Sequence, residues 1–189
     1  MKNLKTIAIA LLVAFGTVTV TAQTKKVNAS KSEINWVGKK VTGQHEGTIN
    51  LQDGALVFKK KKLVGGNFTV NMASISTTDL KAGKGKEKLD GHLKADDFFG
   101  TEKFPTSTLV FKTITAKANN VYTVTADLMI KEKTNPVTFD ITVNGNKATT
   151  ALKIDRTKYD IKYGSGSFFD NLGDKAISDE FELNVALLF

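Results

Sequence analysis

Apolar and polar residues alternate with a period of two along most of this chain, and this pattern constrains the fold more than any other sequence feature. In the clearest run, every second residue from Tyr122 to Ile130 is apolar. Similar runs lie at 34–36, 56–58, 68–70, 137–143, 150–154 and 181–187. Such alternation is typical of antiparallel strands that bury one face, and no strand–helix–strand rhythm interrupts it. The sequence therefore predicts an all-β domain: one antiparallel sheet of about eight strands, curled into a single extended barrel.

Charged residues and glycines predict how some of these strands connect. The run Lys59–Lys62 is interpreted as a charged hairpin tip. Asp53-Gly54 is interpreted as a turn, after which the next strand begins. The pair Gly65-Gly66 predicts a β-bulge or sharp bend. On this interpretation Val64 shares one face with Phe68 across the two glycines.

One segment, around residues 79–100, loses the two-residue period. Leu89, Leu93 and Phe98 approach helical spacing. Gly100 is expected to end a helical turn, as glycine often does. The sequence thus predicts a short helical insertion here. A single helix inserted into an antiparallel barrel would serve as a lid or plug for one mouth.

The N-terminus has the pattern of an export signal. Two lysines precede an apolar run, Ile7 to Phe15, which is too short to span a bilayer, and small residues follow it. This predicts a signal peptide over residues 1–22 and one domain over residues 23–189; an uncleaved membrane anchor is the alternative. The mature protein is expected to be soluble and exported, either periplasmic or secreted.

Composition leaves few routes to catalysis or metal binding. The chain has no cysteine and two histidines, His45 and His92, whereas a metal site normally recruits more ligands. We expect His92 to fix the helical insertion by hydrogen bonding rather than to bind a metal ion. The adjacent carboxylates of Asp96-Asp97 would not face each other on a helix, so a helix cap explains them better than an acid–base pair. Gly164-Ser165-Gly166 lacks the features of a phosphate-binding loop. We therefore expect no enzyme activity and no metal site.

The charge pattern limits the class of partner. The formal net charge is +8, from 27 basic and 19 acidic residues, and Arg156 is the only arginine. Nucleic-acid sites favour arginine because its guanidinium makes paired hydrogen bonds. A lysine-only excess favours a solvated surface, with transient membrane-surface contact as an option. We expect no nucleic-acid partner, and the sequence leaves open whether the chain forms a homodimer.

Several stretches of the chain resemble the YceI-like family. The most specific is Gly91–Gly100 (GHLKADDFFG), continuing through Glu102-Lys103-Phe104-Pro105-Thr106. Similar stretches are Ser32–Gly47, Asp127–Ile141, and Ile154-Asp155-Arg156 followed by Tyr159 and Ile161. One departure is Glu132, where the family usually has Gly in the turn before Thr134. The resemblance implies an extended lipocalin-like barrel in an exported protein that binds polyisoprenoids or related lipids.

The resemblance also implies a long apolar tunnel with the polar end of its lipid near one mouth. A barrel of about eight strands holds either a packed core or one small ligand, and alternation alone leaves both open. The candidate tunnel-lining residues are Trp36, Phe58, Phe68, Val70, Phe98, Phe99, Phe111, Leu128, Ile130, Phe139, Ile141, Leu152, Ile154, Phe168, Phe169, Phe181 and Leu183. No cofactor is expected beyond a bound isoprenoid, isoprenoid quinone or fatty amphiphile.

Arg156 is the candidate head-group residue. It follows the inward-facing Leu152 and Ile154 and could hold a lipid phosphate through two parallel hydrogen bonds. Equally, it could pair with a neighbouring acid such as Asp155 or Asp160.

The resulting prediction is an exported binding protein that sequesters or transports a long-chain isoprenoid or related lipid, without making or breaking a bond. Two other classes remain as alternatives. One is a structural or adhesion barrel with a filled core. The other is a metal-binding accessory protein that depends on His45 and His92.

Overall fold

The computed structural model describes residues 21–189, so almost all of the predicted signal peptide, 1–22, lies outside the described residues. Nine strands, one α-helix and three short 3₁₀ turns make up this part of the chain. The strands are β1 Gln23–Lys26, β2 Glu33–Lys40, β3 Gly43–Lys59, β4 Lys62–Thr77, β5 Thr106–Ala116, β6 Val121–Ile130, β7 Lys133–Asn144, β8 Lys147–Asp155 and β9 Ile177–Leu188. The helix α1 is Lys86–Lys94, and the 3₁₀ turns are Ala29–Lys31, Arg156–Tyr159 and Gly173–Lys175.

Eight of the strands, β2 to β9, form a closed antiparallel barrel. Neighbouring strands follow the order β2, β9, β8, β7, β6, β5, β4, β3, and β3 closes the ring by pairing with β2 as well as with β4. Strand β1 lies outside the ring and pairs with the last part of β3, residues 55–58. The prediction of a single antiparallel barrel of about eight strands is therefore confirmed.

The alternating pattern places the core as expected. In β6, residues Tyr122, Val124, Ala126, Leu128 and Ile130 are buried, and the residues between them are more exposed. Because side chains of a strand alternate between its two faces, these five line one side of the sheet and face the barrel interior.

Antiparallel connections divide the loops between two ends of the barrel. The β3–β4, β5–β6 and β7–β8 turns lie at one end, which we call the packed end. The β2–β3 turn, the β6–β7 turn, α1 and the segment between β8 and β9 lie at the other, which we call the open end. The Lys59–Lys62 tip is a two-residue turn at the packed end, with Lys60 and Lys61 both in the left-handed region.

The interpretation of Asp53-Gly54 as a turn is wrong, because β3 runs through both residues without a break. The pairing with β4 shifts by one residue between Leu51 and Asp53, so a bulge takes the place of the expected turn. Gly54 is required there by packing: a Cβ at this position would lie 2.5 Å from Cδ1 of Phe68.

A second bulge corrects the orientation of Val64. Phe58 pairs with Leu63, but the preceding Val57 pairs with Gly65, so Val64 is the extra residue. The extra residue reverses the alternation, with Leu63 buried before the bulge and Phe68 buried after it. Val64 is therefore exposed and does not share a face with Phe68. The bulge predicted at the glycine pair exists, but its extra residue is the one before that pair.

The helical insertion is shorter than the segment that suggested it. Helix α1 begins after Gly85, which has φ +98°, and ends at Lys94, with Ala95 as its extended C-cap residue. The residues after it form consecutive turns, in which the N–H groups of Phe98 and Gly100 both donate to the carbonyl of Ala95. Asp96-Asp97 does not cap a second helical turn: Asp96 pairs with Lys103, and Asp97 with His92. No helix among residues 21–189 combines the length and apolar character that a membrane-spanning helix needs.

Candidate functional site

The barrel encloses an apolar cavity of about 240 Å³ that extends to the open end. Its walls come from strands β2 to β9, and α1 and the turns after it cover part of the mouth. Lys39, Lys40 and Glu180 also border the cavity and are exposed, so it communicates with solvent at this end. An enclosed apolar space with a polar rim is the ordinary form of a site for a small apolar ligand.

Most of the predicted lining residues do surround this cavity. They come from seven strands and from the turns after α1, and their shared property is an inward-facing apolar side chain. The residues are Trp36, Phe68, Val70, Phe98, Phe99, Phe111, Leu128, Ile130, Phe139, Ile141, Leu152, Ile154, Phe181 and Leu183.

Phe58 is buried but does not line the cavity, which corrects its assignment. It lies near the packed end, where its ring centroid is 5.6 Å from that of Phe189 and 5.4 Å from Nζ of Lys25. The last part of β3 extends beyond its pairing with β2 and is covered by β1. Buried side chains of this corner, among them Val27, Leu56 and Leu63, pack on one another below the cavity.

Phe168 and Phe169 also lie outside the cavity, which corrects their assignment. Both are about half exposed, on the segment between β8 and β9. Their N–H groups both donate to the carbonyl of buried Ser165, and Ser165 forms a single bridge with Ile177. This tight turn fixes the backbone at Ser165 and leaves the two rings on the outer surface of the open end.

His92 holds the cover of the mouth together, as its predicted hydrogen-bonding role requires. It bonds to a carboxylate oxygen of Asp97 at 3.1 Å, and its ring centroid is 5.3 Å from that of Phe98 and 4.5 Å from that of Tyr163. Edge-on aromatic contacts of this kind add specific stabilisation to apolar burial. From the other side, Nζ of Lys131 bonds to the carbonyl of Phe98.

Arg156 borders the cavity with its guanidinium largely committed to the protein backbone. It is 3% exposed and donates to the carbonyls of Ser178 (2.9 Å), Ile161 (2.7 Å) and Ile177 (3.1 Å). These bonds use three of its five N–H donors, which leaves two for any ligand. Burial lowers the pKa of Arg156, but an arginine remains charged in a protein.

The acid that accompanies Arg156 is neither of the predicted partners. Instead, Oδ1 of Asp179 lies 3.7 Å from a terminal guanidinium nitrogen. Burial raises the pKa of Asp179, but the hydroxyls of Ser165 and Ser167 and the charge of Arg156 outweigh it and hold the pKa below its ordinary value. The pair therefore stays ionised beside the cavity.

The two histidines serve separate parts of the structure. Nδ1 of His45 lies 2.8 Å from Oδ2 of Asp79 and links the start of β3 to the segment before α1. Burial raises the pKa of Asp79, but its hydrogen bond with His45 and the backbone hydrogen bond of Glu46 hold the pKa below its ordinary value. Within the described residues, no group of three or more His, Cys, Asp or Glu is arranged to hold a metal ion.

Several lining residues were absent from the predicted set. Strand β3 contributes Ile49 and Leu51, which the false turn at Asp53-Gly54 concealed. Helix α1 contributes Leu89 and Leu93, whose helical spacing was the signal that could have found them. The remaining additions lie on strands and include Ile34, Met72, Ile75, Leu109, Ile177, Val185 and Leu187. All but Ile75 follow the strand alternation, and Ile75 comes after a register shift between β3 and β4.

The chain aligns in part with curated proteins named UPF0312 proteins. It is 34% identical to a UPF0312 protein of Shewanella denitrificans over 92 residues, which is 49% of this chain and 46% of that protein. It is 48% identical to a UPF0312 protein of Staphylococcus aureus over 59 residues, 31% of this chain and 32% of that protein. The matched part thus spans between about a third and a half of these relatives.

Solved structures share the fold at low sequence identity. BcnA of Burkholderia cenocepacia superposes with a TM-score of 0.67 at 24% identity, covering 86% of this chain and 99% of that one. A polyisoprenoid binding domain from Saccharophagus degradans, implicated in plant cell wall breakdown, gives 0.61 at 14% identity, with coverage of 89% and 97%. The Campylobacter jejuni YCEI protein gives 0.54 at 17% identity, with coverage of 98% and 96%.

The family model described as the YceI-like domain matches residues 25–189, which is nearly all of the described part of the chain. The matched range includes the closed barrel, α1 and every residue that lines the cavity. The resemblance inferred from the GHLKADDFFG run is thereby confirmed, and the chain belongs to the YceI-like family.

Proposed function

We propose that this protein binds a long-chain isoprenoid or a related amphiphilic lipid inside its barrel and sequesters or transports it. The observation that carries the proposal is the apolar cavity of about 240 Å³, closed toward the packed end and open at the other. The Saccharophagus degradans domain, which shares this fold, is a polyisoprenoid binding domain, and this supports the same ligand class here. No bond is made or broken in this function.

The physical basis is the removal of a hydrocarbon tail from water. Each buried methylene contributes about 0.8 kcal/mol, so burying about ten of them yields roughly 8 kcal/mol before the costs of immobilising the chain. Among the polar groups that border the cavity, Lys39, His45, His92 and Arg156 already have partners in the protein. Affinity therefore depends mainly on the length of tail that fits, and an isoprenoid quinone or a fatty amphiphile belongs to the same class of cargo.

The interior also bears on the alternative of a structural barrel with a filled core. The packed end matches that description, since Leu56, Val124 and Ala148 are fully buried without bordering the cavity. The interior of the ring does not, because facing apolar residues leave a continuous space between them. A scaffold would gain stability by filling that space, so the hollow favours a ligand.

Neighbouring residues on β5 provide a matched test of the cavity. Leu109 lines the cavity, and the next residue, Val110, points outward. Leu109→Trp fills part of the space, whereas Val110→Trp adds the same ring outside. We expect native mass spectrometry to detect a bound lipid on the wild type and on Val110→Trp and to detect much less on Leu109→Trp, with both variants folded by circular dichroism. Equal occupancy in the two variants, or an empty wild-type protein, would contradict the proposal.

We further propose that the protein is exported and that its first 22 residues are removed. Cell fractionation and the intact mass of the purified protein test this proposal directly. A mass equal to that of the full chain, or recovery from the cytoplasm, would exclude export by cleavage at Ala22.

A further inference from the structure

Exposed apolar side chains concentrate around the open end of the barrel. Among the described residues, six large apolar side chains are strongly exposed, and four of them lie on segments of this end: Val41 (67%), Tyr163 (46%), Phe168 (49%) and Phe169 (51%). The other two, Val64 (48%) and Val110 (44%), lie on the outer faces of β4 and β5. Scattered exposed residues need no explanation, but a group beside an apolar cavity does.

Each of these four residues, which we call the rim patch, is tied by hydrogen bonds or a ring contact to a segment that borders the cavity. The N–H of Val41 donates to the carbonyl of Ala176, immediately before the cavity-lining Ile177. Phe168 and Phe169 are anchored at Ser165, which bridges to the same Ile177. Tyr163 packs edge-on against His92, which lines the cavity as well. The rim patch thus continues the apolar wall of the cavity onto the outside of the protein.

Cationic groups surround the rim patch. Nζ of Lys162 lies 5.0 Å from the ring centroid of Phe168. Exposed lysines that lie at this end and have no ion pair within the described residues include Lys40, Lys81, Lys84, Lys88, Lys133, Lys158 and Lys175. Asp79, Asp90 and Asp160 are engaged by His45, Lys86 and Lys162. The exposed acids Asp170, Asp174 and Glu180 also lie at this end and have no ion pair within the described residues. Exposed aromatic rings bordered by free lysines suit the interface of a bilayer that contains anionic lipids.

We propose that the rim patch is a docking surface for an anionic lipid bilayer and that it places the cavity mouth against the membrane. The proposal deepens the proposed lipid-binding function and rests on it. With the rings of Phe168 and Phe169 in the head-group region, a lipid tail passes from bilayer to cavity along an apolar surface. The exposed lysines add attraction to anionic head groups.

Flotation of the protein with lipid vesicles tests this docking. The protein is used as isolated from the cells that make it, with vesicles of phosphatidylcholine alone or mixed with phosphatidylglycerol. Phe168→Ser combined with Phe169→Ser removes two half-exposed rings, which offer roughly 100 Å² of apolar area each. We expect binding to mixed vesicles to fall by at least about 30-fold. The matched control, Val64→Ser combined with Val110→Ser, removes exposed apolar groups away from the mouth and is expected to leave binding unchanged.

The charge contribution is measured separately with Lys40→Gln combined with Lys175→Gln. This variant should bind mixed vesicles several-fold more weakly and bind phosphatidylcholine vesicles like the wild type. Added salt should reduce the difference between the two vesicle types.

The outcomes separate docking from cargo binding. If the Phe168/Phe169 variant still takes up lipid supplied in detergent but no longer floats with vesicles, the docking proposal holds. If this variant floats like the wild type, or the wild type does not float, docking at the rim patch is wrong while the cavity proposal stands. If vesicles bind the wild type through the rim patch but no lipid enters the cavity, the proposed function fails instead. A dimer in sedimentation that the same substitutions dissolve, without vesicle binding, would assign the rim patch to a second copy of this chain.

Discussion

Arg156→Met tests whether the sole arginine of the chain holds together the region between β8 and β9. The substitution leaves the carbonyls of Ile161, Ile177 and Ser178 without their donors and removes the cation beside Asp179. Methionine has a similar length, so the change removes charge and hydrogen bonds more than it removes volume.

The expected loss of stability follows from these contacts. Hydrogen bonds to a charged group contribute about 1.5–3 kcal/mol each, so three of them set an upper bound of roughly 4.5–9 kcal/mol. Burial of the methionine side chain stabilises the variant by about 1.5–3 kcal/mol. Hydrogen bonds from water to the freed carbonyls offset a further part of the lost free energy. We therefore expect a net loss of about 3 kcal/mol, which lowers the midpoint of thermal unfolding by about 6–12 °C in a domain of this size.

Urea denaturation followed by circular dichroism measures this loss, and a second cation on β8 provides the control. Lys153 is exposed and lies 3.9 Å from Glu182, so Lys153→Met should leave the unfolding midpoint unchanged. A loss below about 1 kcal/mol for Arg156→Met would refute the reasoning, since the three carbonyls would then not depend on the guanidinium. The result also decides how a head-group role can be tested. If the loss is large, weaker lipid binding by Arg156→Met reflects a damaged fold, and Arg156→Lys becomes the informative variant.

Two further predictions concern a turn and an acid at the open end. Glu132 has φ +59°, so Glu132→Gly should relieve the strain of the β6–β7 turn and stabilise the protein by about 0.5–1 kcal/mol; a lower midpoint in urea would contradict this. Burial raises the pKa of Asp90, but the hydrogen bond it accepts from the N–H of Thr77 and its contact with Lys86 hold the pKa below 3.8. Its contribution to stability is therefore complete above pH 3.8 and is lost as the pH falls through the lower folded-state pKa. Between about pH 4 and pH 2, Asp90→Asn should lose stability less steeply than the wild type, and parallel curves would show that Asp90 is not coupled to folding.

The sequence was sufficient for the architecture because the features that specify it are local. Alternation within a strand assigns each side chain to a face, and β6 follows that rule over its whole length. The rule fails where the number of residues on two paired strands differs. The pair Gly65-Gly66 is a local signal of the bulge beside it, but which residue becomes the extra one, and the bulge between Leu51 and Asp53, depend on the register between β3 and β4. The orientation of Val64 therefore could not be deduced from its neighbours in the chain.

Two identical dipeptides show where prediction of the site was limited. Phe98-Phe99 and Phe168-Phe169 are both preceded by polar residues and followed by Gly or Asp, yet the first pair is buried on the cavity and the second is exposed. The first is drawn inward by turns after α1 and by Lys131, whose Nζ bonds to the carbonyl of Phe98. Lys131 lies in the β6–β7 turn, 33 residues further along the chain. The difference between the pairs is thus a tertiary one.

The distribution of packing along the barrel explains how one domain combines stability with an empty interior. The β3–β4 hairpin extends past the ring, and with β1 and Phe189 it buries Leu56, Phe58 and Leu63 in a closed core. This core stabilises the fold through apolar burial at the packed end. The residues that line the cavity lack the dispersion contacts that a filled interior would make. The cavity opens at the end that carries α1, His92 and the rim patch. A ligand that enters there restores the missing contacts, so binding should raise the unfolding temperature as its free concentration exceeds Kd.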